Sequence, residues 1–156
     1  MNAQPLLARI AAALSAAKLE AILIGNAAAA LRGAPVTTLD FDFLFRATPA
    51  NLAKLKRVAK ALDAVIMRPY YPVSNLYRVE SPEQGLQIDF MPRISGIRSF
   101  NALRAHATTV AFGVSSLQVA SLEDIIRSKK AAGRPRDRAA LPVLEATLAL
   151  EKKNKG

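Results

Sequence analysis

The sequence predicts a mixed α/β fold, because segments with helical periodicity alternate with short apolar segments typical of strands. Apolar residues recur at helical spacing over residues 6–17, which predicts an opening amphipathic helix. The segment "AILI" then predicts a buried strand, and "GNAAAALRG" predicts a turn into an alanine-rich helix that stops at Gly33. The segment "TLDFDFLFR", residues 38–46, alternates apolar and acidic side chains and predicts a second strand.

The later elements continue this mixed order. Thr48 and Pro49 supply an N-cap and a first-turn proline for a basic helix that ends near Leu62. Ser121 begins "SLED", which is similar to a capping box and predicts a helix that ends at Gly133. Further strands are expected over 64–68, 75–81, 86–92 and 108–113, with a proline-containing connection at 69–74 and a last helix from Pro135.

Size and composition suit one domain. The 156 residues are 51% apolar, so we expect a single domain over residues 1–150 and a frayed basic tail over 151–156. The longest apolar stretch contains Asn26 and is too short to span a bilayer, and no signal peptide is evident. Because cysteine is absent, a reducing compartment is allowed, and we expect a cytoplasmic protein that does not bind membranes. The oligomeric state is left open.

Two carboxylates, Asp40 and Asp42, interrupt the second strand, although acidic side chains are depleted from strands. They share one face, about 6 to 7 Å apart, because side chains alternate across a strand. The opposite, apolar row is Leu39, Phe41, Phe43 and Phe45. The segment "LQIDFMP" repeats the pattern around Asp89, so three carboxylates meet on one face if both apolar rows enter the same core. Such a cluster can hold one or two Mg²⁺ ions, whereas the alternative is a solvated strand face.

The turn after the first strand is a candidate phosphate site. Gly25 and Asn26 lie between a buried strand and a helix N-terminus, where unpaired N–H groups and the helix dipole favour an anion. The alternative is a plain strand-to-helix connection in which Asn26 is the N-cap.

Together these motifs resemble the minimal nucleotidyltransferases of the DNA polymerase beta superfamily. Those proteins have a Gly-Gly or Gly-Ser turn, a Thr-x-Asp-x-Asp strand and a third Asp on a later strand. The segment "SLEDIIRSKKAAGRPRDRAAL" is similar to a C-terminal motif of the branch that includes abortive-infection toxin transferases. The resemblance covers most of the chain, from about residue 21 to 144. The chain departs from the pattern at three positions, with Asn26 for Gly or Ser, Val36 for Arg and Ala140 for a second Asp.

The resemblance implies a mixed sheet flanked by helices and a transfer of NMP from an NTP to a hydroxyl. It also implies two bound Mg²⁺ ions, or Mn²⁺ in their place, with Asp89 helping to accept the hydroxyl proton. The implied metal ligands are Asp40, Asp42 and Asp89, and the implied nucleotide contacts are Gly25, Asn26, Thr38 and Lys129, with Lys129 also catalytic. The acceptor stays open between a tRNA end, a protein hydroxyl and a small molecule.

The formal net charge of +10 favours a polyanionic partner or an anionic substrate. A basic cluster in the C-terminal segment is either an RNA-contacting patch, for tRNA or another RNA, or a solvated helix face. Its members are Arg127, Lys129, Lys130, Arg134, Arg136 and Arg138. His106 is the sole histidine, and we assign it no role. The rival functions are a catalytically silent binding protein of the same fold, such as half of a toxin–antitoxin pair, and an unrelated basic nucleic-acid-binding domain.

Overall fold

The computed structural model describes residues 4–38, 40–68 and 75–155. Leu39, in the predicted apolar row, and the predicted connection at 69–74 lie outside the described residues. The helices are α1 Gln4–Ala17, α2 Gly25–Leu31, α3 Pro49–Ala61, α4 Phe100–His106, α5 Leu122–Ala132 and α6 Pro135–Lys155, with a short 3₁₀ turn at Pro82–Gln84. The strands are β1 Ala21–Ile24, β2 Asp40–Phe45, β3 Val65–Met67, β4 Tyr77–Ser81, β5 Leu86–Met91, β6 Thr108–Phe112 and β7 Ser115–Val119.

The strands form one seven-stranded sheet in the order β3-β4-β5-β2-β1-β7-β6. The pairs β1–β7 and β2–β5 are parallel, and the other four pairs are antiparallel. With helices packed against a mixed sheet, the predicted mixed α/β class is confirmed.

The aromatic rows of the two acidic strands form the centre of the core. Phe43 and Phe90 are fully buried and stack with ring centroids 5.3 Å apart, while Phe45 meets Phe90 edge to face. Both apolar rows therefore enter the same core, as the alternation predicted. The polar rows of β2 and β5 must then emerge together on the opposite face.

Side-chain caps set three helix starts. The hydroxyls of Thr48, Ser99 and Ser121 accept hydrogen bonds from backbone N–H groups in the first turns of α3, α4 and α5. The predicted caps at Thr48 and Ser121 are thus confirmed. Gly133 ends α5 in the left-handed conformation, also as predicted.

The structure differs from the sequence prediction at four places. Strand β7 and helix α4 were not predicted, and α6 is longer than the sequence indicated, since its helical backbone continues through Lys155. Helix α2 begins at Gly25 with Ile24 as its N-cap, so Asn26 lies inside the first turn rather than at the cap. Among the described residues, no helix has both the length and the apolar composition needed to cross a membrane.

Candidate active site

Asp42 and Asp89 lie side by side on adjacent strands. Strands β2 and β5 are parallel, and their register pairs Asp42 with Asp89 and Phe43 with Phe90. Paired residues of neighbouring strands point to the same face, so both carboxylates emerge opposite the aromatic core. The sequence-based placement of Asp89 on the Asp40 and Asp42 face therefore agrees with the observed register.

The guanidinium of Arg78 binds the carboxylate of Asp89. Strand β4 pairs with β5 so that Arg78 lies opposite Asp89. The Arg78 guanidinium donates two hydrogen bonds, from Nε to Oδ1 at 2.8 Å and from one terminal nitrogen to Oδ2 at 3.2 Å. The bond to Asp89 also raises the pKa of Arg78 above its usual value. Only the strand register brings Arg78 to the site, so residue types alone did not indicate it.

Gly25 packs directly against Asp42. Strand β1 pairs with β2 so that Ile24 lies beside Asp42, which brings the next residue over the carboxylate. Gly25 has φ +69°, and a Cβ atom built on it would lie 3.2 Å from Asp42 Oδ2. Glycine is therefore favoured here both by the left-handed backbone and by the closeness of the carboxylate.

Asn26 holds a buried polar atom with no protein partner. Its side-chain Oδ1 is inaccessible to water and, among the described residues, accepts no hydrogen bond. Buried polar atoms are nearly always paired, so this unpaired acceptor beside the acidic strands is an exception, and a rotation of the Asn26 side chain toward the cavity would offer it to a ligand or an ordered water.

Asp42 lies in an environment that disfavours its charge. Burial, followed by the negative charges of Asp89 and Asp40, raises the pKa of Asp42 to about 6. Arg136 and Lys129 act in the opposite direction from across the cavity. A cation bound beside Asp42 would relieve this repulsion.

Lys129 faces the carboxylates from helix α5. Burial lowers the pKa of Lys129, and the charge of Asp137 partly offsets this effect. Asp137 is itself buried, and its Oδ1 lies 3.8 Å from the Lys129 ammonium. Burial is the largest single influence on Asp137 and acts to raise its pKa, but the hydrogen bonds and charge of Arg134, together with the charge of Lys129, outweigh it and lower the pKa. Asp137, which Arg134 holds by hydrogen bonds, is therefore the ionic partner of Lys129, and residue types alone did not indicate this pairing.

A cavity of about 700 Å³ is lined by every residue predicted to be catalytic, to bind metal or to contact the nucleotide. Those lining residues are Gly25, Asn26, Thr38, Asp40, Asp42, Asp89 and Lys129. Asp40 is exposed, and its backbone N–H donates to the Thr38 hydroxyl, so Thr38 shapes the start of β2. Arg78, Arg134, Arg136 and Asp137 line the same cavity. The cavity thus has an acidic floor on the sheet and a basic wall on α5 and α6.

The three predicted metal ligands do not form a ready metal cage. In the described parts of the chain, no three or more His, Cys, Asp or Glu side chains are arranged to hold a metal ion. Both oxygens of Asp89 instead bind Arg78. Asp40 and Asp42 nevertheless fit a hard divalent cation, since they offer oxygen ligands in a site of uncompensated negative charge. The three-carboxylate metal set remains a prediction.

The predicted RNA-contacting cluster is largely paired with neighbouring acids. Arg127 binds Asp124, Lys130 binds Glu145 and Arg134 binds Asp137. No ion pair within the described residues involves Arg136 or Arg138. His106, to which we assigned no role, lies 3.0 Å from the buried carboxylate of Asp124.

The fold has well-matched solved neighbours. Neither a protein-family profile nor a curated protein sequence matches the chain. The antibiotic-resistance factor ANT(2'')-Ia matches in its solution structure with a TM-score of 0.64 at 18% identity, over 96% of this chain and 85% of that one. Its crystal structure with adenylyl-2''-tobramycin gives the same TM-score and identity over 96% and 91%. An antigenic nucleotidyltransferase-like protein from Paracoccidioides brasiliensis matches with a TM-score of 0.64 at 16% identity, over 94% and 75%.

The chain therefore has the fold of the nucleotidyltransferases. This confirms the fold that the Thr-x-Asp-x-Asp resemblance implied.

Proposed function

We propose that this protein transfers a nucleoside monophosphate from an NTP to a hydroxyl acceptor. The observation that carries the proposal is the pairing of Asp42 with Asp89 directly beneath the Gly25 turn, in a cavity that Lys129 closes from the other side. The nucleotidyltransferase fold of the chain agrees with this chemistry.

In this proposal the acceptor oxygen forms a bond to the α-phosphorus, and the bond from that phosphorus to the bridging oxygen breaks. Pyrophosphate leaves, and the hydroxyl proton passes to a carboxylate of the floor, for which Asp89 is our candidate. Mg²⁺ held by Asp40 and Asp42, or Mn²⁺, would supply charge neutralisation at the triphosphate. Both oxygens of Asp89 are bound by Arg78, so either role of Asp89, as proton acceptor or as a further metal ligand, requires Arg78 to move away.

The chain's own residues position the nucleotide. The Lys129 ammonium, supported by Asp137, provides a cation for the phosphates, and Arg136 provides a second one at the cavity wall. The α2 N-terminus offers backbone N–H groups beside Gly25, and the unpaired Asn26 oxygen can accept a hydrogen bond from the ligand.

Label transfer tests the proposal. The protein is incubated with Mg²⁺ and each of the four NTPs, labelled at the α-phosphate, together with total RNA, cell protein or tobramycin. We expect an acceptor to be labelled from the α-position and not from the γ-position. Asp42→Asn should reduce labelling at least about a thousandfold through lost transition-state charge neutralisation. The matched control Asp63→Asn changes an exposed acid after α3 and should leave labelling unchanged. Label from the γ-phosphate, or full activity in Asp42→Asn, would contradict the proposal.

A catalytically silent protein of the same fold is the second candidate. The Arg78–Asp89 ion pair favours it, because an internal cation already neutralises one of the three acids. Titration with Mn²⁺ followed by electron paramagnetic resonance separates the two candidates without an activity assay. The transferase proposal expects Mn²⁺ binding that Asp42→Asn removes, whereas the absence of Mn²⁺ binding by the wild-type protein would favour the silent protein.

A further inference from the structure

The helices α1 and α3 carry a surface rich in unpaired positive charge. The two helices pack against each other, and neither contains an Asp or Glu. We call the cations of these two helices, together with Lys18 directly after α1, the α1–α3 basic face; all are exposed or half-buried, and they are Arg9, Lys18, Lys54, Lys56, Arg57 and Lys60. Within the described residues, none of these six cations forms an ion pair.

The basic cluster on α5 and α6 is different, because most of its cations are already neutralised. Arg127, Lys130 and Arg134 are each bound to an acid. A cation that already has an internal partner gains less from a phosphate than one whose only partner is water. The α1–α3 basic face is therefore the stronger candidate for a polyanion.

A cavity of about 550 Å³ adjoins the basic face. Lys18 and Lys54 line it together with neutral polar groups, among them Asn51, Ser116 and Gln118. Glu20 also lines it, but its carboxylate is bound by Arg46 and Arg104. Cations beside hydroxyl and amide groups are the contacts that a sugar–phosphate backbone uses.

We propose that the α1–α3 basic face and its cavity bind RNA. The cavity's hydroxyl and amide groups can both donate to and accept from a ribose 2′-hydroxyl, which distinguishes RNA from DNA. An anionic membrane is disfavoured, since the exposed positions described for α1 and α3 hold Pro, Ala, Ser, Arg and Lys, and the one exposed large apolar side chain lining the cavity is Val114, which alone is too little to anchor the face in a bilayer.

This face lies apart from the carboxylates. Its cavity includes Ala21 at the start of β1, whereas the carboxylate cavity includes Ile24 at the end of that strand. The two ends are separated by about 10 Å at the rise of a strand. RNA binding here does not depend on nucleotidyl transfer, so the two proposals can fail separately.

Fluorescence anisotropy with a labelled 20-nucleotide single-stranded RNA, measured on the full chain between 50 and 200 mM KCl without nucleotide, tests the inference. The variant Lys56→Glu/Arg57→Glu/Lys60→Glu should bind at least about tenfold more weakly, and its log–log salt slope should fall by about 2. The milder Lys56→Gln/Arg57→Gln/Lys60→Gln variant should show the same trend and covers the case in which charge reversal prevents folding.

The matched control is Lys130→Glu/Lys152→Glu/Lys153→Glu, which makes the same change in net charge on exposed positions of α5 and α6. We expect it to bind RNA within about threefold of wild type. Equal loss in both triple variants, equal affinity for DNA of the same sequence, or no RNA binding by wild type would each overturn the inference. The inference would also be overturned if the protein binds phosphatidylserine vesicles and not RNA, and if the α3 substitutions abolish that vesicle binding.

Discussion

The floor and the wall of the carboxylate cavity carry opposite charge, and they differ in which of their charges are paired with neighbouring residues. On the floor, Arg78 neutralises Asp89, while Asp40 and Asp42 have no ion-pair partner among the described residues. On the wall, Asp137 supports Lys129 and Arg134, and Arg136 has no such partner within that part of the chain. Each side thus keeps charge that its own neighbours do not cancel.

The difference indicates what the cavity can hold. The floor has surplus negative charge and oxygen ligands, which suits a hard cation, whereas the wall has surplus positive charge, which suits phosphate. The two sides interact weakly across the cavity, since Arg136 and Lys129 only partly counter the raised pKa of Asp42. A metal-bound triphosphate would satisfy both sides at once, and the following substitutions test each side.

After the loss of label transfer expected for Asp42→Asn, the largest effect is expected on the wall. Lys129→Ala should lower kcat/KM for the NTP by about a hundredfold, because it removes a partly buried ammonium that would contact the phosphates. The matched control is Lys130→Ala, an exposed neighbour paired with Glu145, which should change kcat/KM less than about twofold. Equal losses in steady-state transfer assays would show that Lys129 is an ordinary surface cation.

The next effect concerns how the charge of Asp42 on the floor changes the stability of the folded protein. In metal-free protein the pKa of Asp42 is raised from 3.8 to about 6, so the folded state binds this proton more tightly than the unfolded state. The corresponding stabilisation is present below about pH 4 and is lost as pH rises through about 6. Asp42→Asn should therefore increase the free energy of unfolding at pH 7.5 by roughly 3 kcal/mol, and by little at pH 4.

Urea unfolding in the presence of EDTA measures this difference at both pH values. The control Asp63→Asn changes an exposed acid and should show no such pH-dependent gain. If Asp42→Asn instead destabilises the protein at pH 7.5, the ionised carboxylate of Asp42 is stabilised by a partner, and its surroundings do not disfavour its charge.

A smaller effect, on metal affinity, is expected from replacing Arg78, the cation within the floor. Arg78→Gln removes the guanidinium that binds both oxygens of Asp89, so Mn²⁺ should bind about tenfold more tightly. Arg93→Gln is the matched control, because Arg93 lines the same cavity without bonding to a carboxylate within the described residues. Titration calorimetry checks both variants, and equal affinities would mean that Arg78 does not compete with the metal.

Strand alternation was sufficient to predict the faces of the acidic strands. The period of two placed Phe43 and Phe90 in the core and Asp42 and Asp89 opposite them, and the structure agrees. Alternation does not give register between strands, however. That Arg78 lies opposite Asp89 depends on how β4 pairs with β5, so the ion pair could not be predicted from residue types.

Two elements were missed because their sequence signals are short. Helix α4 spans only Phe100–His106, and its available signal was the Ser99 cap followed by the buried Phe100 and Leu103 at helical spacing. Strand β7 alternates around Leu117 and Val119, but it follows β6 after only two residues, so the hairpin resembled one strand and a loop. The ionic support of Asp137 for Lys129 likewise required the packing of α6 on α5.

The smallest expected effect isolates the contact between the turn and the floor. Gly25 and Gly113 have almost the same backbone, with φ +69° and +70°, yet only Gly25 has an atom near the position of a Cβ. Alanine at either position incurs the left-handed penalty of about 1 kcal/mol, whereas Gly25→Ala also places a methyl group 3.2 Å from Asp42 Oδ2. The free energy of unfolding should therefore fall by about 1 kcal/mol more in Gly25→Ala than in Gly113→Ala. Because the extra cost arises at a carboxylate, it should shrink when Asp42 is also changed to Ala, and a difference that persists in Asp42→Ala would assign it to the backbone of α2 instead.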